Sequence, residues 1–270
     1  MIIDLSIPEN MDVSSGRRLL LAPGHTEMAG HCLRLLKPFP MRLDAGSFLG
    51  SERGVPLFRI EGCFWWPFSN DQRLSAGRAY WLSSVANVRP GKLSLEVWKE
   101  GLSLAWITIS DKGAAGERVD SGGPLIESLV NEKMQICLSR GAILPDNIDE
   151  IKSLLVSLAL VEGFDLILTT GGTGVAPRDV TPEATRAVIE KRLYGFEQAM
   201  MQASLSKTPY GAVSRAVAGV LGRSVILNLP GSPRAVSENL EAVLPALKHC
   251  VGKVQGDASD CAELREKSDG

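Results

Sequence analysis

The apolar run Phe164-Asp165-Leu166-Ile167-Leu168 ends in Thr169-Thr170-Gly171-Gly172-Thr173-Gly174, and this junction restricts the chain more than any other segment. A short apolar run of that length reads as a buried strand. Glycines and threonines then fill the place where the strand should end. Glycine lets backbone amides come close to a ligand, and successive amides can form an anion-binding nest. Threonine adds hydroxyl donors. Open α/β folds bind ligands at such strand ends. A tight turn uses the same glycines, so the loop alone leaves a ligand site and a plain turn both open.

The junction belongs to a longer alternation. Leu104-Ala105-Trp106-Ile107-Thr108-Ile109 reads as a first strand, closed by Ser110-Asp111. Ser121 can cap a helix whose apolar stripe is Leu125, Ile126, Leu129, Val130, Met134 and Leu138. Ala142-Ile143-Leu144 is a second strand, ended by Pro145-Asp146-Asn147, with a helix over 148–161. After the Thr-Gly loop the spacing predicts helices over 182–193, 196–205 and 210–220. Val225-Ile226-Leu227-Asn228-Leu229 is a fourth strand, turned by Pro230-Gly231-Ser232-Pro233, and a helix over 235–251 follows. Alternating strands and helices call for a mostly parallel sheet covered by helices on both faces.

Residues 1–100 have a different texture and read as a small β-rich domain of unassigned fold, with the boundary near Lys99-Glu100-Gly101. They hold Trp65, Trp66, Trp81 and Trp98 in short apolar pieces. Ser69-Asn70-Asp71 and Arg89-Pro90-Gly91 read as turns. Leu93-Ser94-Leu95-Glu96-Val97-Trp98 alternates as a half-buried strand does. One helix is expected over 25–36. Trp65-Trp66-Pro67-Phe68 is too apolar to lie in solvent without cost, so it is expected in a packed core or docked surface; a module that binds a pterin, a metal or a partner enzyme is the other reading. Residues 101–253 form the second domain and 254–270 a polar tail.

Composition removes several function classes. The chain has 29 basic and 31 acidic residues, a net charge of -2, and so no global field that would gather nucleic acid. The five cysteines are scattered and odd in number with no CxxC pair, which disfavours a disulfide scaffold or structural zinc and fits free thiols in a reducing compartment. Only three histidines are present, which disfavours a multi-histidine metal centre; His25, His31 and Cys32 cluster as loop residues or, alternatively, as a metal site. There is no 18-residue apolar run and no basic-then-apolar leader, so a soluble cytoplasmic protein with no membrane partner is expected.

Four strand ends carry polar chemistry: Ser110-Asp111 continuing to Asp120-Ser121; Pro145-Asp146; the Thr-Gly loop with Arg178-Asp179; and Asn228-Leu229-Pro230-Gly231-Ser232. In a parallel sheet these ends share one side and can converge on a cleft. Each has a plainer reading. Asp111, Asp146 and Asp179 can cap turns or helices, and Ser232 before Pro233 is a good N-cap. Carboxylates beside phosphate donors suggest a hydrated Mg2+ bridging protein and phosphates. Covalent catalysis and hydride transfer are disfavoured, because this region has no Ser-His-Asp or Cys-His pair and no dinucleotide fingerprint.

Taken together, Ile109-Ser110-Asp111, Asp120-Ser121-Gly122, Leu144-Pro145-Asp146, the Gly171-Gly172-Thr173-Gly174 run with Arg178-Asp179-Val180-Thr181-Pro182-Glu183-Ala184-Thr185, Ser214-Arg215 and Asn228-Leu229-Pro230-Gly231-Ser232-Pro233 resemble the molybdopterin adenylyltransferase family over residues 103–251. The same domain occurs in molybdenum cofactor biosynthesis proteins and, fused, in molybdate-inserting enzymes. The resemblance implies a three-layer α/β/α fold, a homotrimer (hexamers in one branch), and the joining of AMP from Mg-ATP to the terminal phosphate of molybdopterin with release of pyrophosphate. A non-catalytic molybdopterin-binding or carrier protein and a molybdate insertion enzyme are the alternatives, and a molybdate insertion enzyme is the implied partner. The resemblance makes Asp146 and Asp179 the catalytic residues and candidate Mg2+ ligands. It makes Ser110, Asp111, Asp120, Thr170, Gly171, Gly172, Thr173, Gly174, Ser214, Asn228, Pro230, Gly231 and Ser232 the substrate-binding set. Gln198 and Met201 stand where the family usually has glutamate and arginine, and Lys112 where arginine is common. Whether the final cofactor carries molybdenum or tungsten is left open.

Overall fold

The structure is a computed structural model that describes residues 1–23, 32–37, 41–70 and 73–257. The His25/His31 cluster, part of the turn at Ser69-Asn70-Asp71 and most of the tail lie outside the described residues, as do residues 25–31 of the expected helix. The chain packs as two compact units, Met1–Ala105 with Met134–Arg140 and Ser153–Phe164, and Trp106–Lys133 with Gly141–Lys152 and Asp165–Gly270.

The first unit is built on β1 (Ile2–Ile7), β2 (Arg18–Ala22), β3 (Leu33–Leu35), β4 (Phe48–Glu52), β5 (Val55–Asn70), β6 (Arg73–Ser84) and β7 (Gly91–Trp98). They close into a barrel in the order β1-β3-β2-β6-β5-β4-β7, and every adjacent pair except β2–β3 runs antiparallel. Alternation sets the inward face: Ile3, Leu5 and Ile7 of β1 are buried while Ile2 is 64% exposed. Leu21, Leu33, Leu49, Phe58, Ile60, Tyr80, Leu82 and Leu95 fill the interior with them. Each such side chain stabilises the fold by about 1.5–3 kcal/mol on burial. The β5–β6 register shifts between Ile60 and Gly62, and a Cβ on Gly62 would lie 2.7 Å from Glu162 Oε2. The missing side chain makes room for that carboxylate, which Arg140 meets at 2.6 Å. Burial pushes the Glu162 carboxyl up, and Arg140 opposes the shift. Phe64 and Trp66 pack against Leu20, Ala22, Cys32 and Ala79. Trp65 stays 57% exposed, with the Arg78 guanidinium 5.4 Å from its ring.

Next along the chain come β8 (Leu102–Ile109), α1 (Asp111–Ala114), α2 (Gly122–Lys133), β9 (Ile136–Leu144), α3 (Ile148–Val156), a π-helical stretch (Ser157–Glu162), β10 (Leu166–Thr170), α4 (Thr181–Val188), β11 (Lys191–Arg192), α5 (Tyr194–Lys207), a 3-10 turn (Pro209–Val213), β12 (Ala218–Leu221), β13 (Ser224–Leu229) and α6 (Pro233–Val254). The sheet has six strands in the order β11-β12-β13-β10-β8-β9. β10 and β13 are parallel, which puts the Thr-Gly loop beside the Pro230-Gly231 turn.

The architecture corrects the expectation of a mostly parallel three-layer α/β/α domain after a small β-rich one. The first unit closes into an antiparallel-dominated barrel, and the second sheet is mixed, because β11–β12 and β12–β13 are antiparallel. Link length decides this. A parallel pair needs a crossover of a dozen residues or more, whereas a two-residue link can only reverse the chain. Gly222-Arg223 is such a link, with Leu221 opposite Ser224 and Gly222 at φ +57. Arg53-Gly54 does the same between β4 and β5, with Gly54 at φ +91. The helix expected over 210–220 is therefore a 3-10 turn followed by β12. Leu138, read as the end of a helical stripe, lies in β9, and Leu33–Leu35 form strand β3 where a helix was expected.

Candidate active site

In the second unit a cavity of about 260 Å³ opens where β8, β9, β10 and β13 end. Of the residues singled out in the sequence, Ser110, Asp120, Asp146, Thr170, Gly171, Gly172, Asp179 and Gly231 line it. Loops separated by more than 100 residues in sequence meet there, as strand-end convergence requires.

Gly171 and Gly172 sit at φ +95 and +62, a region that side chains other than glycine enter at a cost. They also carry the chain past close neighbours. A Cβ on Gly171 would collide with the Ile109 carbonyl, and one on Gly172 with Thr181 Oγ1, while lying 3.0 Å from Asp146 Oδ1. The loop is pinned from below: Thr181 Oγ1 donates to Gly171 O (3.0 Å), the Thr181 N–H to Gly172 O (3.2 Å), and Thr170 Oγ1 to Pro230 O (2.7 Å). Among the described residues no acceptor meets the N–H of Gly172, Thr173 or Gly174. Successive uncommitted amides of this kind are suited to an anion.

Asp146 and Asp179 both face the cavity. Burial pushes the Asp146 carboxyl up, with the charges of Asp111 and Asp179 adding to it; a hydrogen bond from the Asp111 amide and the Arg178 charge oppose the rise. Asp111 works on the protein rather than on the cavity wall. Its N–H donates to Asp146 Oδ2 (3.2 Å), its Oδ1 accepts from the Asp146 N–H (3.1 Å), and Arg178 grips its carboxylate at 2.7 Å. This reciprocal pair braces the β9 turn against the end of β8. Asp179 Oδ2 accepts from the Ala176 N–H (2.8 Å).

Other sequence candidates are likewise committed to the frame. Asp120 accepts from the N–H groups of Gly122 and Gly123 and from Thr108 Oγ1, which makes it a cap of α2 that also lines the cavity. Ser110 caps α1 by accepting from the Gly113 N–H, and Ser232 caps α6 by accepting from the Ala235 N–H. Asn228 is fully buried and donates to Thr169 and Thr185 hydroxyls. Thr173 is buried, and the Gly174 carbonyl accepts from Arg215 Nε at 2.7 Å. Ser214 lines a second cavity of about 740 Å³, together with Gln198, Met201 and Arg215. Sequence reasoning passed over Arg118, an exposed cavity-lining residue with no carboxylate partner among the described residues. Its only local signal is its place between Gly116 and Asp120.

Among the described residues no group of three or more His, Cys, Asp or Glu could hold a metal ion. Mg2+ needs fewer protein ligands, since it keeps several waters and takes one or two carboxylates plus substrate phosphates. Asp146 and Asp179, two mutually repelling carboxylates that both line the cavity, fit that mode.

Residues 105–249 match the family described as a probable molybdopterin binding domain, and the chain belongs to that family. It is 39% identical over 157 residues to the molybdopterin adenylyltransferase of Helicobacter pylori, covering 58% of this chain and 89% of that protein. It is 36% identical over 168 residues to gephyrin of Dictyostelium discoideum, but spans only 23% of gephyrin's length, and 27% of the Drosophila melanogaster molybdenum cofactor synthesis protein cinnamon. Among solved structures, the molybdopterin biosynthesis enzyme MoaB of Thermus thermophilus is 46% identical with a TM-score of 0.53, over 57% of this chain and 97% of that one. The tungsten cofactor synthesizing MoaB of Pyrococcus furiosus is 32% identical with a TM-score of 0.50, over 58% and 99%. The family includes enzymes, and its general role lies in molybdenum cofactor biosynthesis. No helix among the described residues is long and apolar enough to cross a membrane.

Proposed function

We propose that this protein binds molybdopterin at the strand-end cavity and transfers AMP from Mg-ATP to the terminal phosphate of the pterin, releasing pyrophosphate. The observation that carries this reading is that Asp146 and Asp179 line one cavity together with Gly172, whose amide is uncommitted among the described residues. The attacking oxygen belongs to a phosphate already ionised near neutral pH, so no strong base is needed. The obstacle is repulsion between two polyanions, and catalysis of this kind is mostly positioning and charge stabilisation. The Gly172 amide offers a donor to a phosphoryl oxygen, and Arg118, which lines the cavity with no carboxylate partner among the described residues, can meet substrate charge. Asp146 and Asp179 would hold the Mg2+, whose contribution when bound is to screen the phosphates. Asp111 and Arg178 keep Asp146 in place. The homotrimeric state and cytoplasmic location implied by the resemblance belong to the same proposal.

Incubation with molybdopterin, Mg-ATP and pyrophosphatase should give the adenylylated pterin. No product above a no-enzyme blank, with molybdopterin shown to bind, overturns the reading. Molybdate insertion is the second reading, because gephyrin and cinnamon hold this domain within much longer chains. Supplied adenylylated molybdopterin and molybdate would then yield metallated cofactor and AMP. Molybdopterin binding without ATP affinity would instead indicate a carrier.

A further inference from the structure

The loop from Thr173 to Glu183 carries Asp179 and the outer part of the amide nest, and one residue from a distant segment meets it repeatedly, through its backbone and its side chain. The Arg215 N–H donates to Thr173 O at 2.9 Å. Its Nε donates to Gly174 O and one terminal nitrogen to Asp179 O, both at 2.7 Å. Its other terminal nitrogen is bonded to the Glu183 carboxylate at the start of α4. We propose that Arg215 is a positioning residue for the transfer reaction: it clamps the Thr173–Glu183 loop so that Asp179 and the loop amides keep their places around the cavity. The proposal rests on the functional reading above and adds a residue to it.

Three features separate a clamp from a substrate contact. All three guanidinium nitrogens have protein acceptors, leaving none directed solely at a ligand. The Glu183 carboxylate answers the guanidinium: burial tends to raise its carboxyl, but the hydrogen bond and charge of Arg215, with the Glu183 amide and Arg186, hold it below its ordinary value. Arg215 is also absent from the lining of the 260 Å³ cavity, where Asp179 is present; it borders the 740 Å³ cavity instead. A planar fork can hold two carbonyls and a carboxylate at once, which an ammonium cannot do with the same geometry. Asp179 is thus fixed from two sides, its carbonyl by Arg215 and its carboxylate by the Ala176 amide.

The test is Arg215→Lys, which keeps the charge and loses the fork, with Glu183→Gln as a milder second variant. Two readouts apply: steady-state adenylylation and hydrogen exchange at the amides of Ala176 and Asp179. A displaced reacting group costs up to about 100-fold. Arg215→Lys should lower kcat about 10–100-fold with both KM values within about threefold, and speed exchange at those amides about tenfold or more. Glu183→Gln should fall between it and the wild type. A kcat within twofold of wild type, a rise in KM without a fall in kcat, or unchanged exchange each overturns the clamp. If the wild-type protein forms no adenylylated product, the functional reading fails instead. The exchange measurement, which needs no activity, then decides the clamp by itself.

Discussion

Gly172 is the position where backbone geometry and chemistry are most tightly joined, and Gly172→Ala measures the join. Three costs can be worked from the structure. A side chain at φ +62 costs roughly 1–2 kcal/mol. The new Cβ collides with Thr181 Oγ1, so the hydroxyl must leave its 3.0 Å bond to Gly171 O, a loss of about 1 kcal/mol. Thr181 is fully buried, and an unsatisfied hydroxyl there adds roughly 1–2 kcal/mol. The sum is on the order of 3–5 kcal/mol, or a fall in Tm of roughly 6–20 °C for a unit of this size. Gly116→Ala is the matched control in the same unit: φ +73, with nothing within 4 Å of its Cβ. It should cost only the backbone strain, about 1–2 kcal/mol. Thermal unfolding followed by circular dichroism compares the two. Because the same Cβ presses on Asp146 Oδ1 at 3.0 Å, adenylylation measured below the transition should also fall about 10–100-fold in Gly172→Ala alone. Equal destabilisation by both variants, with unchanged turnover, refutes the steric argument.

Asp146→Asn should abolish most adenylylation yet stabilise the protein at pH 7. The folded-state carboxyl is raised, so the native protein binds the extra proton in the window above the ordinary carboxylate value and loses stability as pH rises through the raised value. The advantage of the variant in Tm should therefore vanish on acidification below about pH 4, the ordinary carboxylate value; an advantage that persists or reverses contradicts the assignment. Arg118→Ala, on an exposed residue, should leave Tm unchanged and raise KM for molybdopterin or ATP about tenfold, as expected for loss of one charge-assisted contact. Both KM values within twofold of wild type would remove Arg118 from the site.

Local residue patterns made part of this protein readable. The Thr-Gly loop with its Arg178-Asp179 extension, Pro145-Asp146 and Pro230-Gly231 follow apolar runs, and each contributes to the cavity or its frame. Strand ends can be read because apolar length and turn residues are local signals. The helix placed over 210–220 failed for the opposite reason. Ala, Val and Leu at those positions suit either state, and pairing with β13 through a two-residue link made the choice. The barrel was hidden likewise, because closure is a property of all seven pairings at once.

The sequence by itself determined which residue types stand at the strand ends and in what order, and with them the family. Tertiary structure decided what each is free to do. Asp111 carries the same carboxylate as Asp146, yet Arg178, 67 positions away, and the Asp146 turn, 35 positions away, occupy it. Asp120 spends its hydrogen bonds on helix α2 and Thr108, and the Asn228 amide nitrogen donates to buried threonines, while Asn228 Oδ1 has no partner among the described residues. Among the described residues Arg118 is left without a carboxylate partner, while Arg215, part of a family motif in the sequence but given no site role there, holds the loop that bears Asp179. A polar group serves a ligand only if the fold has not already satisfied it, and partners so distant in sequence leave no trace in local spacing.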